Sequence, residues 1–213
     1  MDTKPTNGLS TKVIPNLMPG QLEPFNGDTF ATEEVLKIKK IYVIDKVIET
    51  GTCLGGTTVW FIQNFDFVCS IESNPSFQEI AIERCAEAHL SFEKKVVLFR
   101  LGDSGKILGD VISTTKAGDD TLFFLDAHWG PSCPLLEELA AIADAKLRPL
   151  IMIHDVYVPG KDFQYDTYNG QRFDYEWVKD SLDKIYGEEE YVVRYNTEAS
   201  GARVGIMFVI PLN

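Results

Sequence analysis

The chain has 213 residues, 45% of them hydrophobic and 24% charged, a balance that fits a folded globular domain and excludes a disordered or collagen-like chain. Its 20 basic against 32 acidic residues leave a net charge of −12, which repels phosphate backbones and anionic lipid headgroups and disfavours nucleic acid and membranes as partners. No apolar run approaches the roughly 18–20 residues of a membrane span, and the first residues lack the apolar segment of a secretory signal. The four cysteines, Cys53, Cys69, Cys85 and Cys133, show no paired spacing. The expectation is a cytoplasmic protein with reduced thiols.

Residues 1–30 are rich in Pro, Asn, Gly and Thr and have no periodicity. They read as an arm, either disordered or folded over a site, with residues 31–213 as one domain. A short helix is predicted over Thr32–Lys40, with Thr32 as its cap. From there apolar strands alternate with helices. Strands are predicted at Lys46–Thr50, Phe67–Glu72, Val96–Leu101, Thr121–Asp126 and Leu150–Asp155. Helices are predicted at Thr57–Phe65, Pro75–Leu90, Ser104–Lys116 and Pro134–Leu147, the last stopped by Pro149. Such alternation implies parallel strands with crossover helices. A polar and aromatic loop follows over Val156–Arg172, then a helix over Phe173–Tyr186, then a hairpin of Tyr191–Tyr195 with Val204–Ile210. The fold class is α/β, a Rossmann-like doubly wound sheet of five parallel strands with a C-terminal antiparallel hairpin. Its ligand crevice should lie beyond the carboxyl ends of the strands.

All five of those strand ends carry chemistry. The first leads into Glu49-Thr-Gly51-Thr-Cys53-Leu-Gly55-Gly56-Thr57, a turn whose glycines let a ligand approach the backbone and the N–H groups of the next helix. A dinucleotide fingerprint fails because Cys53 stands where its second glycine belongs, and a triphosphate loop fails because Thr57 stands in the lysine position. Glu72, at the end of the second strand, can accept from both hydroxyls of a ribose. Gly102-Asp103-Ser104 ends the third. There Asp103 either accepts from an adenine amino group or caps the following helix.

The order E-x-G-x-x-x-G-x-T, then Glu, then Gly-Asp-Ser over residues 45–155 resembles the class I S-adenosylmethionine (SAM)-dependent methyltransferases, whose fold is seven-stranded. The resemblance implies SAM as cofactor. It places Gly51, Thr52, Cys53, Gly55, Gly56 and Thr57 around the methionine part, Glu49 near its amino group, Glu72 on the ribose, and Asp103 with Ser104 near the adenine.

Leu125-Asp126-Ala127-His128-Trp129 closes the fourth strand and Ile153-His154-Asp155 the fifth, so two of the three histidines sit beside acids on one edge. Asp126, His154 and Asp155 could ligate one divalent cation, Mg²⁺, Mn²⁺ or similar, which would bind a substrate oxygen and lower the pKa of a hydroxyl. Otherwise these acids cap loops and the imidazoles pack. Catalytic roles fall to Asp126 and to His128 as general base. These ends are similar to those of metal-dependent small-molecule O-methyltransferases of the catechol, macrocin and cephalosporin-hydroxylase-like types. The chain departs from the catechol type at Gly130, where that type has its lysine, and at Val156, where it has a ligand asparagine. It departs from the macrocin-like type at His154, which replaces an acid.

Trp129 and the loop residues Tyr157, Tyr165 and Tyr168 would wall a pocket for a hydroxylated small-molecule acceptor. Otherwise the loop is a surface excursion. The sequence leaves two further readings open, a metal-centred enzyme of another chemistry on the same fold and a non-catalytic nucleotide-binding module. The arm reads as either a lid or a clasp between copies of a homo-oligomer.

Overall fold

The computed structural model describes residues 20–89, 95–128 and 133–212. Strand β1 (Lys46–Thr50) lies between β2 (Phe67–Glu72) and β4 (Thr121–Leu125), and β3 (Val96–Leu101) pairs with β2. Strand β5 (Leu150–His154) continues the parallel set beside β4. The last strand, β9 (Ile206–Pro211), pairs antiparallel with β5, and β8 (Tyr191–Tyr195) pairs with β9. The order β3-β2-β1-β4-β5-β9-β8 reverses direction between β1 and β4. Open α/β sheets place ligands at such a switch point, outside the carboxyl ends of the strands.

The central strands are apolar on both faces because helices cover both. Val47, Leu122, Phe124, Leu150 and Met152 face one layer, packed on α1 (Thr29–Tyr42), α2 (Gly56–Asn64) and α3 (Pro75–His89). The alternate residues Ile48, Phe123, Leu125, Ile151 and Ile153 face the other, packed on α4 (Ser104–Thr115), α5 (Leu135–Asp144) and α6 (Tyr175–Tyr186). This period of two assigns each side chain at a strand end to a face. Glu49 therefore lies on the α1–α3 side and Thr50 on the α4–α6 side. No helix among the described residues is long and apolar enough to cross a membrane.

The elements follow the predicted order, with boundaries shifted by one or two residues and three larger local differences. The first helix begins at Thr29 and is capped by Asp28, whose Oδ1 accepts from the N–H groups of Phe30 and Ala31. Thr32 instead donates to the carbonyl of Thr29, inside the first turn. The helix predicted to run to Leu147 ends at Asp144, where Lys146 turns left-handed (φ +56°). The long loop also contains a small hairpin, β6 (Thr167–Tyr168) with β7 (Gln171–Arg172). Its turn is Asn169-Gly170, both at positive φ (51° and 80°), the conformation that the primed two-residue turns require.

Of the predicted arm, residues 1–19 lie outside the described residues. From residue 20 the chain forms a strap that ends in a 3-10 turn (Pro24–Gly27). Phe25 is buried in the α1–α3 layer against Trp60, Phe61 and Phe124, with ring centroids 5.3–5.6 Å apart. The strap crosses the start of α2 so closely that a β-carbon on Gly56 would stand 2.8 Å from the carbonyl oxygen of Glu23. Only glycine fits there.

Candidate functional site

The turn after β1 is stitched to both neighbouring strands. The N–H groups of Gly51 and Thr52 donate to the carbonyl of Ile71, and that of Asp126 donates to the carbonyl of Thr50. Gly51 has φ +84°, and a β-carbon there would lie 2.1 Å from the carbonyl oxygen of Asp126. The glycine is thus needed both for its conformation and for the approach of β4. Cys53 is left-handed as well (φ +48°), and its N–H donates to Glu72 Oε2 at 2.7 Å. The other oxygen of Glu72 accepts from Asn74 N–H at 2.8 Å, so two backbone donors hold this carboxylate at the crevice.

Glu49 is fully buried. Its Oε2 accepts from Thr58 Oγ1 and Ser70 Oγ, both at 2.6 Å, while Oε1 has no partner. Burial pushes its carboxyl up to about 8, against the two hydroxyl hydrogen bonds that favour charge. A buried acceptor left unmade costs about 1–3 kcal/mol, so this oxygen suits a ligand donor.

The remaining residues of the predicted cofactor set are distributed as follows. Thr52 Oγ1 bonds Ser70 Oγ, and Gly55 caps α2 in a left-handed conformation. Thr57 Oγ1 accepts from Phe25 N–H at 3.0 Å, which commits it to the strap. Asp103 caps α4. Its Oδ1 accepts from Gly105 N–H at 3.1 Å and its Oδ2 pairs with Lys106 at 2.7 Å. Ser104 is buried, with an unpartnered Oγ.

Beyond β4 and β5 the structure brings four sequence-selected residues into one cluster and adds a fifth. His154 Nδ1 stands 3.4 Å from Asp126 Oδ1 and 3.3 Å from Asp155 Oδ1. His128 Nε2 is 3.1 Å from Asp155 Oδ2 and 3.9 Å from Asp126 Oδ1. Consecutive strand residues normally point to opposite faces, but Asp155 is left-handed (φ +57°). That turn breaks the alternation and lets His154 and Asp155 face the same cluster. The fifth member is Asp166, whose Oδ2 lies 3.5 Å from His128 Nε2. Backbone bonds fix it in place, since its N–H donates to the carbonyl of Asp155 and its carbonyl accepts from Phe173 N–H. No motif pointed to Asp166, although the Asn169-Gly170 turn that folds its loop back on the site is written in the sequence.

Electrostatics bind these groups together. Burial opposes charge on His154, but Asp126 and Asp155 outweigh it and lift its pKa well above the ordinary imidazole range. His128 rises for the same reason, through Asp155, Asp126 and Asp166. Asp155 is held well below the carboxylate range by the two imidazoles, despite its burial. His154 is completely buried, yet neither ring nitrogen has a hydrogen-bond partner.

The predicted acceptor wall is divided. Tyr157 and Tyr165 meet edge to face at 5.3 Å, with the Arg172 guanidinium 3.9 Å over the Tyr157 ring. Tyr168 instead packs on the α4–α6 core layer. Trp129 lies outside the described residues. A hollow of about 420 Å³ lined by Ile44, Asp119, Arg148 and Leu212 lies at the opposite end of the strands. Its arginine is spent on the carbonyls of Tyr186, Glu190 and Leu212.

The sequence matches no protein-family model and no curated protein. Solved structures match its fold. An O-methyltransferase from Bacillus cereus in complex with SAH is 18% identical, with TM-score 0.61 over 86% of this chain and 81% of that one. The O-methyltransferase TomG from Streptomyces achromogenes, involved in tomaymycin synthesis and solved with SAM, is 16% identical, with TM-score 0.60 over 86% of this chain and 80% of that one. The methyltransferase domain of bacterial CtHen1 is 15% identical, with TM-score 0.61 over 89% of this chain and all of that one. The chain therefore shares the fold of these methyltransferases.

Proposed function

We propose that this protein is a SAM-dependent methyltransferase acting on a hydroxyl of a small molecule with the help of a divalent cation. The observation that carries the reading is the contact of Gly51 with the Asp126 carbonyl. It sets the glycine turn of a cofactor crevice directly against a cluster of imidazoles and carboxylates. A methyl donor and an acceptor oxygen must meet at such a junction.

The residues fit the cofactor. The unpartnered Glu49 Oε1 is an acceptor for an ammonium, and a positive partner would favour the ionised carboxylate that burial now opposes. Glu72, held by Cys53 and Asn74, keeps lone pairs for the two ribose hydroxyls. Asp103 presents its capping carboxylate at the adenine end, beside Ser104. Gly51, Thr52, Cys53, Gly55 and Gly56 form the turn around the methionine part, and Thr57 acts indirectly by fixing the strap. When bound, SAM supplies a methyl on a positively charged sulfur, from which an in-line oxygen displaces a neutral thioether.

The cluster fits a cation as well. Asp126, His154 and Asp155 would hold it, and the fully buried His154 Nδ1 faces the two carboxylate oxygens at ion-pair distance without a formed hydrogen bond. A bound cation would lower the pKa of an acceptor hydroxyl at that spot. His128 Nε2 faces the same cluster, in place either to take the hydroxyl proton or to serve as a ligand. Tyr157 and Tyr165 form the outer wall for the acceptor. The enzyme's own work is then mostly positioning, with removal of one proton.

The test is transfer of labelled methyl from SAM to a panel of small hydroxylated compounds by the metal-stripped protein, with and without Mn²⁺. Transfer that rises with Mn²⁺ supports the reading. Metal binding without SAM binding would favour the metal-centred alternative, and binding of neither would favour the non-catalytic module.

A further inference from the structure

We infer that the cluster beyond β4 and β5 is built for two divalent cations bridged by Asp155, the second held by His128, Asp155 and Asp166. The inference rests on the metal reading above and extends it. The two oxygens of Asp155 serve different imidazoles. Its Oδ1 stands 3.3 Å from His154 Nδ1, and its Oδ2 stands 3.1 Å from His128 Nε2. Asp126 completes the first group, 3.4 Å from His154 Nδ1, and Asp166 completes the second, 3.5 Å from His128 Nε2. Within each trio the donor atoms lie within 4.8 Å of one another, close enough to surround one ion. A carboxylate that directs its oxygens to two adjoining donor sets is suited to bridging ions about 3.5–4 Å apart.

In the first group an unsatisfied nitrogen points to a ligand. His154 is wholly buried and both its nitrogens lack hydrogen bonds, while Nδ1 is aimed into the cluster. A cation among Nδ1 and the two facing carboxylate oxygens satisfies that nitrogen. On the second side, His128 is buried with its ring against Phe173 at 4.7 Å. Asp166 is fixed by backbone bonds to Asp155 and Phe173. The three carboxylates of Asp126, Asp155 and Asp166 outweigh the charge of one dication, so a second is electrostatically welcome. Mixed imidazole and carboxylate donors favour Mn²⁺, Fe²⁺ or Zn²⁺ over Mg²⁺. With Nε2 on an ion, His128 is a ligand and not the proton acceptor.

The experiment uses Mn²⁺ alone. The metal-stripped full chain is titrated with Mn²⁺, bound ions are counted after dialysis, and low-temperature electron paramagnetic resonance reads whether they are coupled. Two ions per chain with a spin-coupled spectrum are expected. Asp166→Ala, at a side chain 55% exposed and with its fold checked by circular dichroism, should retain one ion with an uncoupled spectrum. One ion in the unaltered protein, or two that Asp166→Ala leaves unchanged, overturns the two-cation inference and leaves the single-ion reading standing. No bound Mn²⁺ overturns both, and a SAM titration of the same sample then judges the cofactor reading separately.

Discussion

Asp28 and Ser200 lie 172 residues apart in sequence, and Asp28 Oδ1 accepts both the N–H (3.1 Å) and the hydroxyl (3.3 Å) of Ser200. The same oxygen caps α1 through Phe30 and Ala31. One buried carboxylate therefore ties the strap and the first helix to the turn between β8 and β9. Asp28→Ala removes the cap and strands buried donors, which should cost about 2–4 kcal/mol in urea unfolding. Thr32→Ala, at the position the sequence pattern offers as the cap, should cost under about 1 kcal/mol.

Phe25 anchors the strap over the start of α2. Phe25→Ala should lose about 3–5 kcal/mol of stability, the usual range for a buried phenylalanine. It should also weaken SAM binding, because the Phe25 N–H that holds Thr57 beside the glycine turn would no longer be fixed in place. A destabilised variant that binds SAM unchanged would separate the strap from the cofactor site.

Two glycines make a matched pair for testing the turn. Gly51→Ala combines a disfavoured φ with a backbone clash at Asp126 and should cost at least about 3 kcal/mol. It should weaken SAM and Mn²⁺ binding together, since it pushes apart the two halves of the site. Gly109, inside α4, has nothing within 4 Å of a would-be β-carbon. Gly109→Ala should be neutral or stabilising by up to about 1 kcal/mol.

Glu49 gives a pH signature. Its carboxyl titrates near 8 in the fold, above the unfolded value, so the native state binds the extra proton. The stability of the ligand-free protein should then fall as pH rises from the unfolded carboxylate range toward 8. Glu49→Gln should flatten that slope and unfold at higher urea than the parent protein at pH 8. The same change should weaken SAM binding at least tenfold, through loss of the ammonium partner. If the urea midpoints of the two proteins run parallel from pH 5 to 8, the buried-acid account is wrong.

The sheet was legible because its strands are continuous apolar runs separated by helix-length segments, and the crevice followed from the open parallel sheet, whose ligands lie beyond the carboxyl ends of the strands. Asp126, His128, His154 and Asp155 were legible as acid–imidazole pairs at adjacent strand ends, which lie close enough to converge, whereas the left-handed turn at Asp155 that lets it share a cluster with His154 has no signal in the strand pattern. Three further features were not legible. Asp166 comes from a loop whose return depends on a hairpin, and an Asn-Gly pair marks a turn without marking which acid the turn carries back to the site. The tie from Asp28 to Ser200, 172 residues away, is encoded by no local pattern, although the cap that the same carboxylate makes on α1 is local. Thr57 belongs to the glycine turn by sequence, but its hydroxyl is taken by the strap, a tertiary contact made by a segment with no periodicity.

The most direct measurement is calorimetric titration of the purified, metal-stripped protein with SAM, repeated after adding Mn²⁺. The account predicts one SAM per chain at micromolar affinity, and a changed affinity once the metal is present, because Gly51 and Asp126 join the two sites. Absence of SAM binding under both conditions would contradict the methyltransferase reading and leave the His–Asp cluster as a metal site serving other chemistry.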